Sequence, residues 1–195
     1  MRENYHLNLC GIDEAGRGPF AGPLVVAGAI LKEPVEELND SKKLTEKKRE
    51  ILFDIIKEKC EFHIVFKSNN EIDNFGISKC LSDSIKEIMK KLDAKQYLMD
   101  GNTAFGINNL NYLIKADGLI DEVSAASILA KVSRDRYMCE IAKHYPEYLF
   151  QKHKGYGTKA HIEAIKKNGY SKLHRKSFKI KQLEDWNLKE PSLFD

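Results

Sequence analysis

The stretch from Gly11 to Pro23, G-I-D-E-A-G-R-G-P-F-A-G-P, constrains the fold more than any other part of the chain. Residues His6 to Ile12 alternate apolar and polar and end at Asp13, which reads as a strand. Gly16, Gly18 and Ala21 then satisfy the G-x-G-x-x-A spacing of a dinucleotide-binding turn. That turn works only when a helix begins directly after it, because the helix N-terminus holds the pyrophosphate. Here Gly22-Pro23 intervenes, and Pro23 to Leu31 is a β-branched apolar run that reads as a second, largely buried strand. A strand–loop–strand unit argues against the dinucleotide fold. It leaves two adjacent carboxylates, Asp13 and Glu14, at a strand end, followed by glycines that permit close backbone approach.

Beyond Leu31, helix and strand patterns alternate. Thr45 to Lys59 predicts a helix, with Leu44, Ile51, Leu52, Ile55 and Ile56 on one stripe. Glu61 to Lys67 alternates as a strand, and Ile77 to Leu92 returns to helical spacing. Short strands are expected at Lys95 to Met99, closed by the turn signal Asp100-Gly101-Asn102, and at Tyr112 to Lys115. A long helix follows over Glu122 to Tyr145, stopping before Pro146, and another over Thr158 to Lys167, closed by Asn168-Gly169. This order predicts an α/β class domain: a mixed β-sheet flanked by helices, with a small C-terminal helical part. The expected division is a catalytic core over 1–145 and a basic helical part over 146–195, packed as one unit. A chain of 195 residues buries enough surface to need no disulfide or zinc staple. Cys10, Cys60, Cys80 and Cys139 show neither C-x-x-C nor zinc-ligand spacing and are expected as reduced, mostly buried thiols. The longest charge-free stretch, Gly18 to Leu31, is too short to span a bilayer, and the first residues show no apolar signal core. A cytoplasmic protein without membrane contact is expected.

Charge is unevenly placed. Gln151 to Lys181 holds ten Lys+Arg against one acidic residue, a balance of +9, in a chain whose total is +3. The remainder therefore carries −6. Tyr156, Tyr170 and Phe178 lie within the basic stretch, and basic residues with interleaved aromatics fit a polyanion, nucleic acid first. Tyr156, between Gly155 and Gly157, reads as exposed, because glycine neighbours do not build a core. The three histidines of the stretch, His153, His161 and His174, read as solvated or capping groups. Meanwhile Asp100 and Asp117, like Asp13 and Glu14, each end a predicted strand. Four ionised carboxylates converging on one sheet edge raise one another's pKa unless cations neutralise them. Two divalent cations would do so, and all-oxygen donors favour Mg²⁺ or Mn²⁺ over zinc. Such a site beside a basic surface fits phosphodiester hydrolysis. A non-catalytic nucleic-acid-binding module would explain the basic stretch but not the acidic strand ends.

These motifs resemble the ribonuclease HII family. The resemblance rests on Asp13 to Gly18 with Ala21-Gly22-Pro23, on D-S-K-K-L at Asp40 to Leu44, and on Asp100-Gly101. It extends through Ala116-Asp117, V-S-A-A-S-I-L-A-K-V-S-R-D at Val123 to Asp135, and H-K-G-Y-G-T-K-A-H at His153 to His161. It implies a ribonuclease H-like fold and cleavage of the RNA strand in RNA–DNA hybrids, including at single ribonucleotides embedded in duplex DNA, with roles in ribonucleotide and RNA-primer removal. By the same resemblance, Asp13, Glu14, Asp100 and Asp117 would be the catalytic metal ligands, whereas Asp121, Glu122 and Asp135 read as capping or helix-surface groups. Gly16, Arg17 and Gly18 would sense the ribose 2′-hydroxyl through backbone groups, with Arg17 alternatively holding the loop by a salt bridge. Tyr156 would pack on the deoxyribose after the scissile ribonucleotide. Lys42 and Lys43, near a helix start, would meet phosphate. A monomer acting on nucleic acid is implied.

Overall fold

The second strand shows how the layers form. In β2 (Leu24–Leu31), Leu24, Val26 and Ile30 enter one core, while Val25, Ala27 and Ala29 enter another. Successive strand side chains point to opposite faces, so a strand apolar on both must lie between two layers of helices. The computed structural model describes residues 8–38 and 44–183; Lys42, Lys43 and His6 lie outside the described residues. β1 (Leu9–Ala15), β2 and β3 (Cys60–Lys67) pair antiparallel. β4 (Gln96–Asp100) runs parallel to β1, and β5 (Leu110–Leu113) parallel to β4, giving the order β3-β2-β1-β4-β5. Helices α1 (Glu46–Lys59) and α4 (Asp121–Ile141) cover one face; α2 (Asn69–Phe75) and α3 (Ile77–Lys91) cover the other. The mixed sheet flanked by helices is as expected.

Small residues set the depth of this packing. A Cβ at Gly11 would stand 2.3 Å from the backbone of Glu122 and Val123, so the first turn of α4 lies directly on β1. A third core joins Ala21 and Met138 to Tyr148, Phe150, Ile165 and Leu173. It seats the small helices α5 (Phe150–His153) and α6 (Lys159–Asn168) against the end of α4 and the loop after β1.

Some local expectations shift. The buried stripe of α1 is Leu52, Phe53 and Ile56, and Ile51 is 50 % exposed. Phe53 packs inward beneath the Arg136 guanidinium, 4.3 Å from its ring, and joins Leu52 and Ile56 in the core, while Leu44 and Ile55 pack against it as expected. Helix α2 follows a capping box, Ser68 with Glu71, a signal that the sequence carries in S-x-x-E. β5 starts and ends two residues early, and Asp117 sits in the 3₁₀ turn Ala116–Gly118 rather than at a strand end. The four cysteines are free, three of them buried. Among the described residues no helix is long and apolar enough to cross a membrane.

Candidate active site

Parallel pairing brings the first two carboxylates together. Ile12 stands opposite Met99, so the next residues, Asp13 and Asp100, emerge side by side at the carboxyl ends of neighbouring strands. Asp117 reaches them from the turn that links β5 to α4. That turn is fastened twice: the Ala116 N–H donates to Asp100 Oδ1 at 2.9 Å, and the Ser124 hydroxyl donates to the Asp117 carbonyl. Carboxylate oxygens of Asp13, Asp100 and Asp117 all lie within 4.8 Å of one another. Asp13 and Asp117 are buried and Asp100 half-buried. Glu14, the next residue of β1, is not in this group. It lines the same cleft, and its Oε1 accepts from Arg17 Nη1 at 3.3 Å.

Burial pushes the Asp13 carboxyl well above the usual carboxylate range; the Glu14 charge, and more weakly Asp100, push the same way. Hydrogen bonds from the Ser127 side chain and the Glu14 N–H, the latter at 2.7 Å, oppose that shift. Gathering anions in a partly buried site is unfavourable by itself, and a divalent cation between them offsets the repulsion. The donor set fits such an ion: hard carboxylate oxygens, with neither thiol nor imidazole, match Mg²⁺ or Mn²⁺.

The cleft above the carboxylates encloses about 440 Å³ and is lined by Gly16, Arg17, Gly18, Arg49, Ser127, Lys131 and Tyr156. Gly16 has φ +99°, and a Cβ there would lie 2.3 Å from Arg134 Nε, so this glycine serves the fold. Gly18 differs. Among the described residues no atom lies within 4 Å of where its Cβ would sit. Two wholly buried arginines hold the loop. Arg175 donates to the carbonyls of Gly16, Arg17 and Gly22 at 2.7–3.1 Å. Arg134 donates to Ala21, Pro23 and Lys154 at 2.9–3.1 Å.

Tyr156 is 41 % exposed, as its glycine neighbours predicted, and its ring stands 5.5 Å from the Arg134 guanidinium and 6.0 Å from Lys131 Nζ. Three sequence readings are corrected. Arg175, counted among the surface charges, is buried as a backbone clamp. His153, His161 and His174 are buried, not solvated, because Tyr148 and Phe150 pack around them. Asp135 is buried, paired with Lys131 at 2.7 Å. Sequence reasoning gave no role to Ser127, Lys131 and Arg134. Their signal was a polar row at the i, i+4, i+7 spacing of one helix face.

The ribonuclease HII family model matches residues 10–181. Ribonuclease HII of Aliarcobacter butzleri is 65 % identical over 178 residues, covering 90 % of this chain and 93 % of the relative. That of Sulfurovum sp. is 57 % identical over 186 residues, covering 95 % and 96 %. Among solved structures, the ribonuclease HII of Archaeoglobus fulgidus in its complex with PCNA superposes with a TM-score of 0.78 at 27 % identity, over 89 % of this chain and 96 % of that one. Ribonuclease H2 from Pyrococcus horikoshii OT3 gives 0.78 at 26 % identity, over 93 % and 99 %. The mixed sheet with flanking helices is thus the ribonuclease H-like fold. This chain belongs to the ribonuclease HII family, the type 2 ribonuclease H endonucleases that hydrolyse RNA in RNA–DNA hybrids.

Proposed function

We propose that this enzyme also cuts duplex DNA on the 5′ side of a single embedded ribonucleotide, leaving 5′-phosphate and 3′-hydroxyl ends, and so removes ribonucleotides and RNA primers from DNA in the cytoplasm. The observation that carries this reading is the grouping of Asp13 and Asp100, which line a cleft together with Gly16 to Gly18 and Tyr156, with Asp117 within 4.8 Å of both. Asp13, Glu14, Asp100 and Asp117 would hold two divalent cations, Mg²⁺ or Mn²⁺, which when bound supply water activation and leaving-oxygen stabilisation. The loop backbone at Gly16, Arg17 and Gly18 meets the ribose 2′-hydroxyl, the group that separates RNA from DNA. Tyr156 packs on the following deoxyribose. The basic part from residue 146 onward, together with Lys42 and Lys43, contacts phosphates. The enzyme acts as a monomer.

A labelled DNA duplex with one ribonucleotide, beside an all-DNA control, tests the reading directly. A nick 5′ of the ribonucleotide is expected with Mg²⁺ or Mn²⁺ and not with EDTA. Cleavage of a long RNA–DNA hybrid alone would overturn the single-ribonucleotide activity and the roles of the loop and Tyr156.

Two substitutions separate recognition from folding. Gly18→Ala should leave the melting temperature unchanged, since its methyl meets only open space, while lowering ribonucleotide-directed cleavage roughly 10- to 100-fold. Gly16→Ala should destabilise by about 1–3 kcal/mol through its positive φ and further through the clash with Arg134 and the Pro23 carbonyl, read by denaturant unfolding. Equal activity of Gly18→Ala and the parent would remove the 2′-hydroxyl role from this loop. Tyr156→Ala should reduce the preference for the single ribonucleotide over a long hybrid about tenfold. Its stability should change by less than about 1 kcal/mol, because the ring is exposed. A large loss of stability with preference intact would make Tyr156 a packing residue.

A further inference from the structure

The C-terminal part contains a buried group of imidazoles that the carboxylate chemistry does not use. His161 and His174 are at most 1 % exposed, and the His153 ring stacks on His161 with centroids 4.4 Å apart. The hydrogen bonds around them admit one arrangement of protons. The Ser171 N–H can only donate, so His174 Nδ1, 2.8 Å away, accepts. An imidazole keeps at least one proton, which in His174 is therefore on Nε2. That proton faces His161 Nε2 at 3.0 Å, which must accept. The proton of His161 is then on Nδ1, where it donates to the Tyr156 carbonyl at 3.0 Å. A directed series runs from Ser171 through His174 and His161 to Tyr156. Burial acts in the same sense, holding both rings neutral with pKa values pushed down to about 4.

His153 secures the other side. Its Nε2–H donates to the Tyr148 carbonyl at 2.8 Å, its Nδ1 accepts from the Gly155 N–H at 3.2 Å, and its carbonyl accepts from the Tyr156 N–H at 2.8 Å. The backbone of Tyr156 is thus held at both its N–H and its C=O, the carbonyl accepting from the Thr158 N–H at 2.8 Å as well as from His161. The ring stands exposed at the cleft from this fixed backbone.

We propose that His161, with His174 acting through it, is a positioning residue that sets Tyr156 for its sugar contact. This rests on the reading of Tyr156 given above. The readout is the ratio of cleavage rates on a duplex with one ribonucleotide and on a long RNA–DNA hybrid. His161→Leu fills the space but removes the donor. His161→Asn packs less well but returns an amide N–H near the place of Nδ1–H. Positioning predicts that His161→Leu lowers the ratio roughly tenfold or more, as Tyr156→Ala does, and that His161→Asn restores most of it. It also predicts that His161→Leu combined with Tyr156→Ala is no worse than either alone. A role in packing predicts the opposite order, with His161→Asn the impaired variant, and would overturn the proposal. If Tyr156→Ala lowers the ratio and His161→Leu does not, only the relay falls. If Tyr156→Ala leaves the ratio unchanged, the sugar contact falls and the positioning role with it. Long-range ¹H–¹⁵N spectra of the unaltered protein apply whether or not the variants fold. They should show a proton on Nδ1 of His161 and on Nε2 of His174 at neutral pH, and any other assignment refutes the relay.

Discussion

Asp13→Asn should lower cleavage by roughly 10³-fold or more, equivalent to about 4 kcal/mol of transition-state stabilisation, while leaving binding of an RNA–DNA hybrid largely intact. Asp13 is buried within reach of two other carboxylates, and an amide cannot supply the negative oxygen that a hard divalent cation requires. The same substitution should make the protein more stable in EDTA. Folding raises the Asp13 pKa, so above the unfolded value of about 3.9 the native state binds more protons than the unfolded chain, and stability falls as pH rises toward the native pKa. Removing the ionisable group removes that loss. The expected result is therefore an inactive enzyme with a higher melting temperature in EDTA at neutral pH and no gain well below the unfolded pKa. An active Asp13→Asn variant would end the assignment of the site. An inactive variant that melts lower would show that the carboxylate supports the fold.

Arg175→Ala should be among the most damaging single changes to stability, by roughly 3–5 kcal/mol. The side chain is 0 % exposed, and its removal leaves the Gly16, Arg17 and Gly22 carbonyls without the donors that now bind them. Burial, and the Arg134 charge nearby, push its pKa down to about 9, which still leaves it charged at neutral pH. For a chain of this size the loss amounts to a fall of roughly 6–20 °C in melting temperature. Arg175→Lys keeps a charge but not the planar fork, and should recover only part of the difference. A melting temperature within a degree or two of the parent for Arg175→Ala would show that solvent replaces these bonds, and that the loop holds its shape without the clamp.

These two residues mark what could be read from the chain. Asp13 was legible because its type, its place at a strand end and the glycines after it are local features. Arg175 was not, because an arginine in a basic stretch gives no local sign of burial; a guanidinium enters a core only where several carbonyls converge on it. The histidines failed for the same reason. Their neighbours in sequence are polar and basic, whereas their neighbours in space are Tyr148 and Phe150. In α1 only Ile51 departs from the expected stripe, because Phe53, not named in it, takes a place in the core.

The sequence by itself determined the two-faced apolar strand at Leu24 to Leu31, the strand–loop–strand entry at Gly11 to Pro23, and the carboxylates available for chemistry. Those follow from side-chain periodicity and backbone conformation over a few residues, which act within any fold. Only the tertiary structure decided that Asp13, Asp100 and Asp117 meet while Glu14 turns toward Arg17, and that Arg134, Arg175, His161 and His174 are buried beneath the cleft. Strand register selects which carboxylates share a side, and a polar group leaves water only when distant segments supply its hydrogen bonds. Both conditions exist only once the chain has closed.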